Sequence, residues 1–106
     1  MSLSTHVLDT AKGRPAAGVR VRVERADGAV LAEGVTDGDG RIGKDWLAPG
    51  LPEPGPHRLV FDTGGYLGEG AFFPEVTVVF TVARAEAHHH IPLLLSPFAY
   101  STYRGS

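Results

Sequence analysis

The chain has 106 residues, with 10 Lys plus Arg, 12 Asp plus Glu and a formal net charge of −2. That size fits one domain spanning residues 1–106, and the charge balance argues against nucleic acid or an anionic membrane as partner. Cys and Asn are both absent, which excludes disulfides, thiol chemistry, cysteine metal sites and N-glycosylation. The longest apolar run, Ile91 to Leu95, falls far short of the ~18 residues of a membrane span. No charged-then-apolar leader opens the chain, so a soluble, cytoplasmic domain is expected.

In chain order, Leu3 to Asp9 reads L-S-T-H-V-L-D, with Thr5 and Val7 on one face and Ser4, His6 and Leu8 on the other. His6 then projects away from the core. Val19, Val21 and Val23 alternate with Arg20, Arg22 and Glu24, the pattern of a half-buried strand. Ala26-Asp27-Gly28 supplies turn chemistry, and Val30 to Val35 is the return strand. Asp37-Gly38-Asp39-Gly40 invites a calcium-loop reading, but the sixth and twelfth positions counted from Asp37 are Ile42 and Ala48, where Gly and Glu are needed. A tight turn delivering Arg41 to the next strand is the better account. Pro49 to Pro56 is an irregular loop. Leu59, Phe61 and Thr63 alternate with Arg58, Val60 and Asp62, and Gly64 to Gly68 holds at most one short helical turn. The run Val76 to Val82 is apolar or neutral on both sides, which predicts a strand covered on both faces. No window sustains a 3.6-residue period. Seven or eight short strands predict an all-β, two-sheet sandwich, with Val19, Val21, Val23, Leu59, Phe61, Val76 and Val78 mostly inside.

Polar residues carry the functional signal. In Ala87 to Leu95, period two puts His88, His90, Pro92 and Leu94 on one face and His89, Ile91, Leu93 and Leu95 on the other. Histidines at i and i+2 on a strand suit zinc, with His6 as a third ligand, yet no companion carboxylate or thiol is evident. The same pair suits general acid–base work near neutral pH. The guanidinium of Arg41 is shaped to hold a planar anionic group. The terminal Ser101-Thr102-Tyr103-Arg104-Gly105-Ser106 is polar, but Tyr100 and Tyr103 argue against simple fraying.

Taken together, Leu3-Ser4-Thr5-His6-Val7-Leu8-Asp9-Thr10, Gly40-Arg41, Val60-Phe61-Asp62-Thr63, Phe72-Phe73-Pro74-Glu75-Val76, His90-Ile91-Pro92-Leu93-Leu94-Leu95-Ser96-Pro97 and Tyr103-Arg104-Gly105-Ser106 closely resemble the transthyretin-related 5-hydroxyisourate hydrolase family. The terminal Tyr-Arg-Gly-Ser is its most specific mark, because transthyretin itself lacks it. Two departures are His89, where the family usually has Tyr, and Ala99, where Gly is usual.

The resemblance implies a transthyretin-like sandwich of about eight strands with one short helix. It also implies a homotetramer, a dimer of dimers with active sites in a central channel. It makes His6, Arg41, His90 and Ser106 the catalytic set, with Tyr103 and Arg104 forming part of the substrate pocket. The implied reaction opens the ring of 5-hydroxyisourate to 2-oxo-4-hydroxy-4-carboxy-5-ureidoimidazoline in urate degradation, with no cofactor or metal. The alternative is a transthyretin-like carrier that binds an aromatic ligand in the channel without chemistry. Val79, Thr81 and the Leu93 to Leu95 run offer more apolar surface than one small core uses, consistent with a D2 tetramer.

Overall fold

Residues that alternate between apolar and polar become strands, because each face then meets the environment it suits. The structure is a computed structural model and describes residues 2–43, 45–84 and 87–105. In chain order it contains β1 (Ser2–Asp9), β2 (Arg14–Pro15), β3 (Arg20–Arg25), β4 (Val30–Val35), β5 (Arg41–Ile42), β6 (Gly55–Phe61), the short helix α1 (Thr63–Leu67), β7 (Val76–Val82), β8 (His88–Ser96) and β9 (Ala99–Thr102). One sheet runs β2-β1-β8-β9, with β5 also on β1, and the other runs β4-β3-β6-β7. Within the first sheet β1 and β8 are parallel along their length, from Ser2 opposite His88 to Asp9 opposite Leu95. Parallel strands cannot be joined by a hairpin, and the chain that crosses between them includes the whole of the second sheet.

The core lies between the sheets. Leu3, Val7, Val19, Val23, Leu59, Phe61, Val76, Leu93 and Leu95 are fully buried, and Val21, Ile42 and Ile91 nearly so. Val78 packs against this cluster while remaining partly exposed. Each such side chain contributes roughly 1.5–3 kcal/mol by leaving water. Thr5, buried among them, satisfies its hydroxyl by donating to the Ile91 carbonyl at 2.6 Å. Asp62 caps α1, its carboxylate accepting from the Gly65 amide at 3.0 Å, and Tyr66 from that helix donates to Asp9 at 2.7 Å.

Two expectations are corrected. The Pro49 to Pro56 stretch is not loop throughout, because β6 begins at Gly55 and Pro56 already pairs with Thr81; proline, which lacks an N–H, is accepted near a strand's start. Nor is β7 covered on both faces: Val79 is 67% exposed, with Thr77 and Thr81 open beside it. β7 is the outermost strand of its sheet, so its neutral outer face is a surface that the single chain leaves bare.

Candidate active site

The turn before β5 fixes the first part of the site. Asp37 accepts through Oδ1 from the amides of Asp39 and Arg41 at 2.9 and 3.0 Å. Gly40 has φ +75, and a Cβ there would collide with the Val7 carbonyl oxygen. Its own carbonyl accepts from the Val7 amide at 2.7 Å, clamping the turn onto β1. Only glycine allows this close approach with this φ. β5 therefore opens with Arg41 opposite His6 and Ile42 opposite Thr5. Ile42 and Thr5 enter the core, while His6 and Arg41 take the outer face.

The parallel pairing of β1 with β8 supplies the second part. Ser4 lies opposite His90 and Ser2 opposite His88. The Ser4 hydroxyl is 2.7 Å from His90 Nδ1 and 3.2 Å from His88 Nε2, and the Ser2 hydroxyl bonds His88 Nδ1. The His88 and His90 rings stack with centroids 6.5 Å apart and planes 13° from parallel.

The C-terminal segment closes over His90. Gly105 bridges to it, its amide donating to the His90 carbonyl at 2.8 Å, and a Cβ at Gly105 would drive into the imidazole. Tyr103 and Arg104 thereby line a cavity of about 260 Å³ with His89, His90 and Thr102, and Val79 and Thr81 of β7 complete the lining.

Burial, reinforced by Arg41, His88 and His6, holds the His90 pKa below the ordinary imidazole value. Burial is likewise the main cause that lowers His89, with Arg104 and His88 adding to it. A cation next to a second cation is unfavourable, so His90 is neutral at pH 7 and able to accept a proton. Arg41, always charged, stands on the same face to meet an anion.

The chain's relatives share this arrangement of strands. The model of the HIUase/Transthyretin family matches residues 3–105. The chain belongs to this family. Its relatives include 5-hydroxyisourate hydrolases of Deinococcus radiodurans, 42% identical over 98% of this chain and 95% of that protein, and of Mus musculus, 44% identical over 98% and 94%. Among solved structures, Klebsiella pneumoniae 5-hydroxyisourate hydrolase superimposes with a TM-score of 0.87 at 37% identity, covering 99% of this chain and 98% of that one. Sea bream transthyretin in complex with thyroxine gives 0.84, also at 37% identity, over 97% and 93%.

Within this family framework the residues singled out from sequence fall into two groups that share His90. His6 and Arg41 are cross-strand partners on the outer face of the first sheet, and their charges act on His90. Tyr103 and Arg104 join His90 through the cavity. Ser106 lies outside the described residues. Among the described residues no three His, Asp or Glu side chains gather to hold a metal; His6, His88 and His90 form no such cluster. Sequence reasoning missed Ser4 and Gly105 as site-builders. Alternation already put Ser4 on the face of His6, but only the parallel register reveals its histidine partners.

Proposed function

We propose that this chain is a hydrolase that opens the ring of 5-hydroxyisourate at a cyclic amide, with His6, Arg41, His90 and Ser106 as the catalytic set and Tyr103 and Arg104 as substrate contacts. The observation that carries the reading is the convergence of β1, β5, β8 and the C-terminal segment on one neutral imidazole whose face also carries Arg41. The near-full-length relatives named 5-hydroxyisourate hydrolase supply the substrate.

Adding water across an amide is redox-neutral. It calls for proton transfer and for stabilisation of an oxyanion, and both fall within the reach of side chains, so no cofactor enters the proposal. Water loses a proton to His90 as its oxygen bonds to the amide carbon. Arg41 balances the negative charge that develops on the carbonyl oxygen. The carbon–nitrogen bond then breaks as the nitrogen takes a proton, for which His6 is the second imidazole of the face. The product carries a new carboxylate, suited to Arg41 and Arg104.

The proposed assembly is a D2 homotetramer in the cytoplasm. Exposed Val79, Phe98, Tyr100 and Tyr103 support it, as do β7 and β9 at the sheet ends. No described helix is long and apolar enough to cross a membrane.

The test is to generate 5-hydroxyisourate enzymatically from urate and follow its ultraviolet decay. Decay faster than the spontaneous rate, in proportion to protein, is expected. Unaccelerated decay would end the hydrolase reading, and tight binding of an aromatic ligand in its place would make the chain a carrier. Sedimentation at micromolar concentration should give four copies; a stable monomer would refute the assembly.

A further inference from the structure

The outer face of β1 and β8 holds more chemistry than the catalytic set uses. Ser2, His88, Ser4 and His90 form one unbroken chain of side-chain hydrogen bonds, produced by residues two apart on each of two parallel strands in register. The chain runs from Ser2 and the exposed His88 inward to the half-buried His90.

A hydroxyl has one proton to donate. Ser4 stands between two ring nitrogens, so it donates to one and accepts from the other. Two polarities follow. In one, Ser4 donates to His90 Nδ1, and the His90 proton sits on Nε2. In the other, His90 Nδ1–H donates to Ser4, Ser4 donates to His88 Nε2, and His88 Nδ1–H donates to Ser2. The second polarity leaves the His90 Nε2 lone pair free, as a general base needs.

We propose that Ser4 and His88 form a proton relay behind His90, with Ser4 as the positioning residue that selects its tautomer and His88 passing the proton outward to Ser2 and solvent; this rests on the hydrolase reading above. When water gives its proton to His90 Nε2, the Nδ1 proton passes to the Ser4 oxygen and the Ser4 proton passes to His88 Nε2. The His88 Nδ1 proton then passes to Ser2, and the Ser2 proton leaves to solvent. One proton enters and one leaves; after product release the Nε2 proton is lost to water and a proton returning inward from Ser2 restores the starting tautomers. His90 never has to remain an imidazolium. That matters at this position, because burial and the facing groups Arg41 on β5, His6 on β1 and His88 on β8 all disfavour its charged form. A base that resists accumulating charge gains most from a path that discharges it.

The experiment combines turnover in dilute buffer with ¹⁵N spectra of the imidazoles. Ser4→Ala and His88→Ala should each lower kcat about tenfold at unchanged KM, a loss on the scale of removing an orienting partner of a functional histidine. Millimolar imidazole should restore His88→Ala while leaving the wild type unaffected, and Ser4→Thr, which keeps the hydroxyl, should retain activity. Wild-type kcat in His88→Ala, or a deficit that imidazole does not repair, would overturn the relay. In the spectra, Ser4→Ala should change the His90 tautomer balance, and an unchanged balance would overturn the positioning role. Should the wild type fail to turn over 5-hydroxyisourate, the hydrolase reading falls, and the spectra still decide whether Ser4 governs His90.

Discussion

The outer faces of the two sheets are built by the same alternation and end in opposite electrostatic states. On the second sheet, Arg22 pairs with Glu24 at 2.5 Å and with Glu75 at 3.5 Å, and Arg58 reaches Glu24 at 3.4 Å. Arg22, Arg58, Glu24 and Glu75 each have a counter-charge there. The hydrogen bond with Arg22 pulls the Glu24 pKa down, and the same bond pushes Arg22 up. On the first sheet, Arg41, His6, His88 and His90 lie near one another, and their mutual repulsion helps hold His90 below its usual pKa. Asp37 accepts from the turn amides of Arg41 and Asp39, and the charges of Arg41 and His6 also act on it, so its pKa is lowered. The paired face neutralises its charges in short ion pairs, whereas the histidine face holds a base kept neutral by burial and by the cations beside it.

The sharpest way to break this contrast is to remove its centre. His90→Ala should lower kcat by about 10²–10⁴-fold, the usual worth of a general base, and should leave the chain folded because the imidazole is not part of the core cluster. His6→Ala should also reduce kcat, and the double variant should be little worse than either single one, since groups that act together are not additive. Stopped-flow decay of enzymatically generated substrate measures all three. Wild-type turnover in folded His90→Ala would dissolve the distinction between the two faces.

Gly105→Ala perturbs the same centre without touching its chemistry. The new methyl would occupy the space of the His90 ring, so either the tail lifts or the imidazole turns. Misplacement of about 1 Å costs on the order of 10²-fold. A loss of that size in kcat is expected, with little change in melting temperature because Gly105 sits at the chain's end outside the core.

Much of this was legible in the residue order, and the rest was hidden for physical reasons. Val19, Val21 and Val23 against Arg20, Arg22 and Glu24 announced β3, and the alternation of His88, His89 and His90 told correctly which imidazole goes inside: His89 is 5% exposed and His90 is not in the core. Pairing is different. Nothing local in Leu3 to Asp9 says that its neighbour is a parallel strand 86 residues on, so the Ser4–His90 contact was invisible until both strands had a register. The bare outer face of β7 was misread for a related reason. Neutral composition reports that a surface avoids water, and does not tell whether the same chain or another copy covers it.

A smaller effect sharpens the comparison through pH. His89 and His90 both have folded pKa values below the ordinary imidazole value, chiefly from burial. Above about pH 6.5 neither the folded nor the unfolded chain protonates these rings appreciably. As pH falls below that value the unfolded chain takes up protons that the folded one resists, so stability is lost on acidification. Melting temperature should therefore decline from about pH 7 to about pH 5, and His89→Phe, which keeps an apolar ring in place, should flatten the decline. An unchanged slope would show that the buried ring is not the source.

The smallest expected effect lies on the paired face, and it is the control for all the others. Arg22→Ala removes a guanidinium from the network with Glu24 and Glu75, but the Arg22 side chain is 37% exposed, so water screens both the attraction and its loss. Such surface pairs contribute at most about 1 kcal/mol. Glu24 also keeps Arg58 as a counter-charge, and Glu75, whose side chain is 57% exposed, stays hydrated when Arg22 is removed. Hydrolysis should proceed at the wild-type rate, because this face lies across the sandwich from His90 and none of its charges is among those that lower the His90 pKa. Chemical denaturation and turnover measured on the same preparation test both parts. A kcat deficit in Arg22→Ala comparable to that of His90→Ala would mean that the two faces are coupled through the core, and that the division of labour between them is wrong.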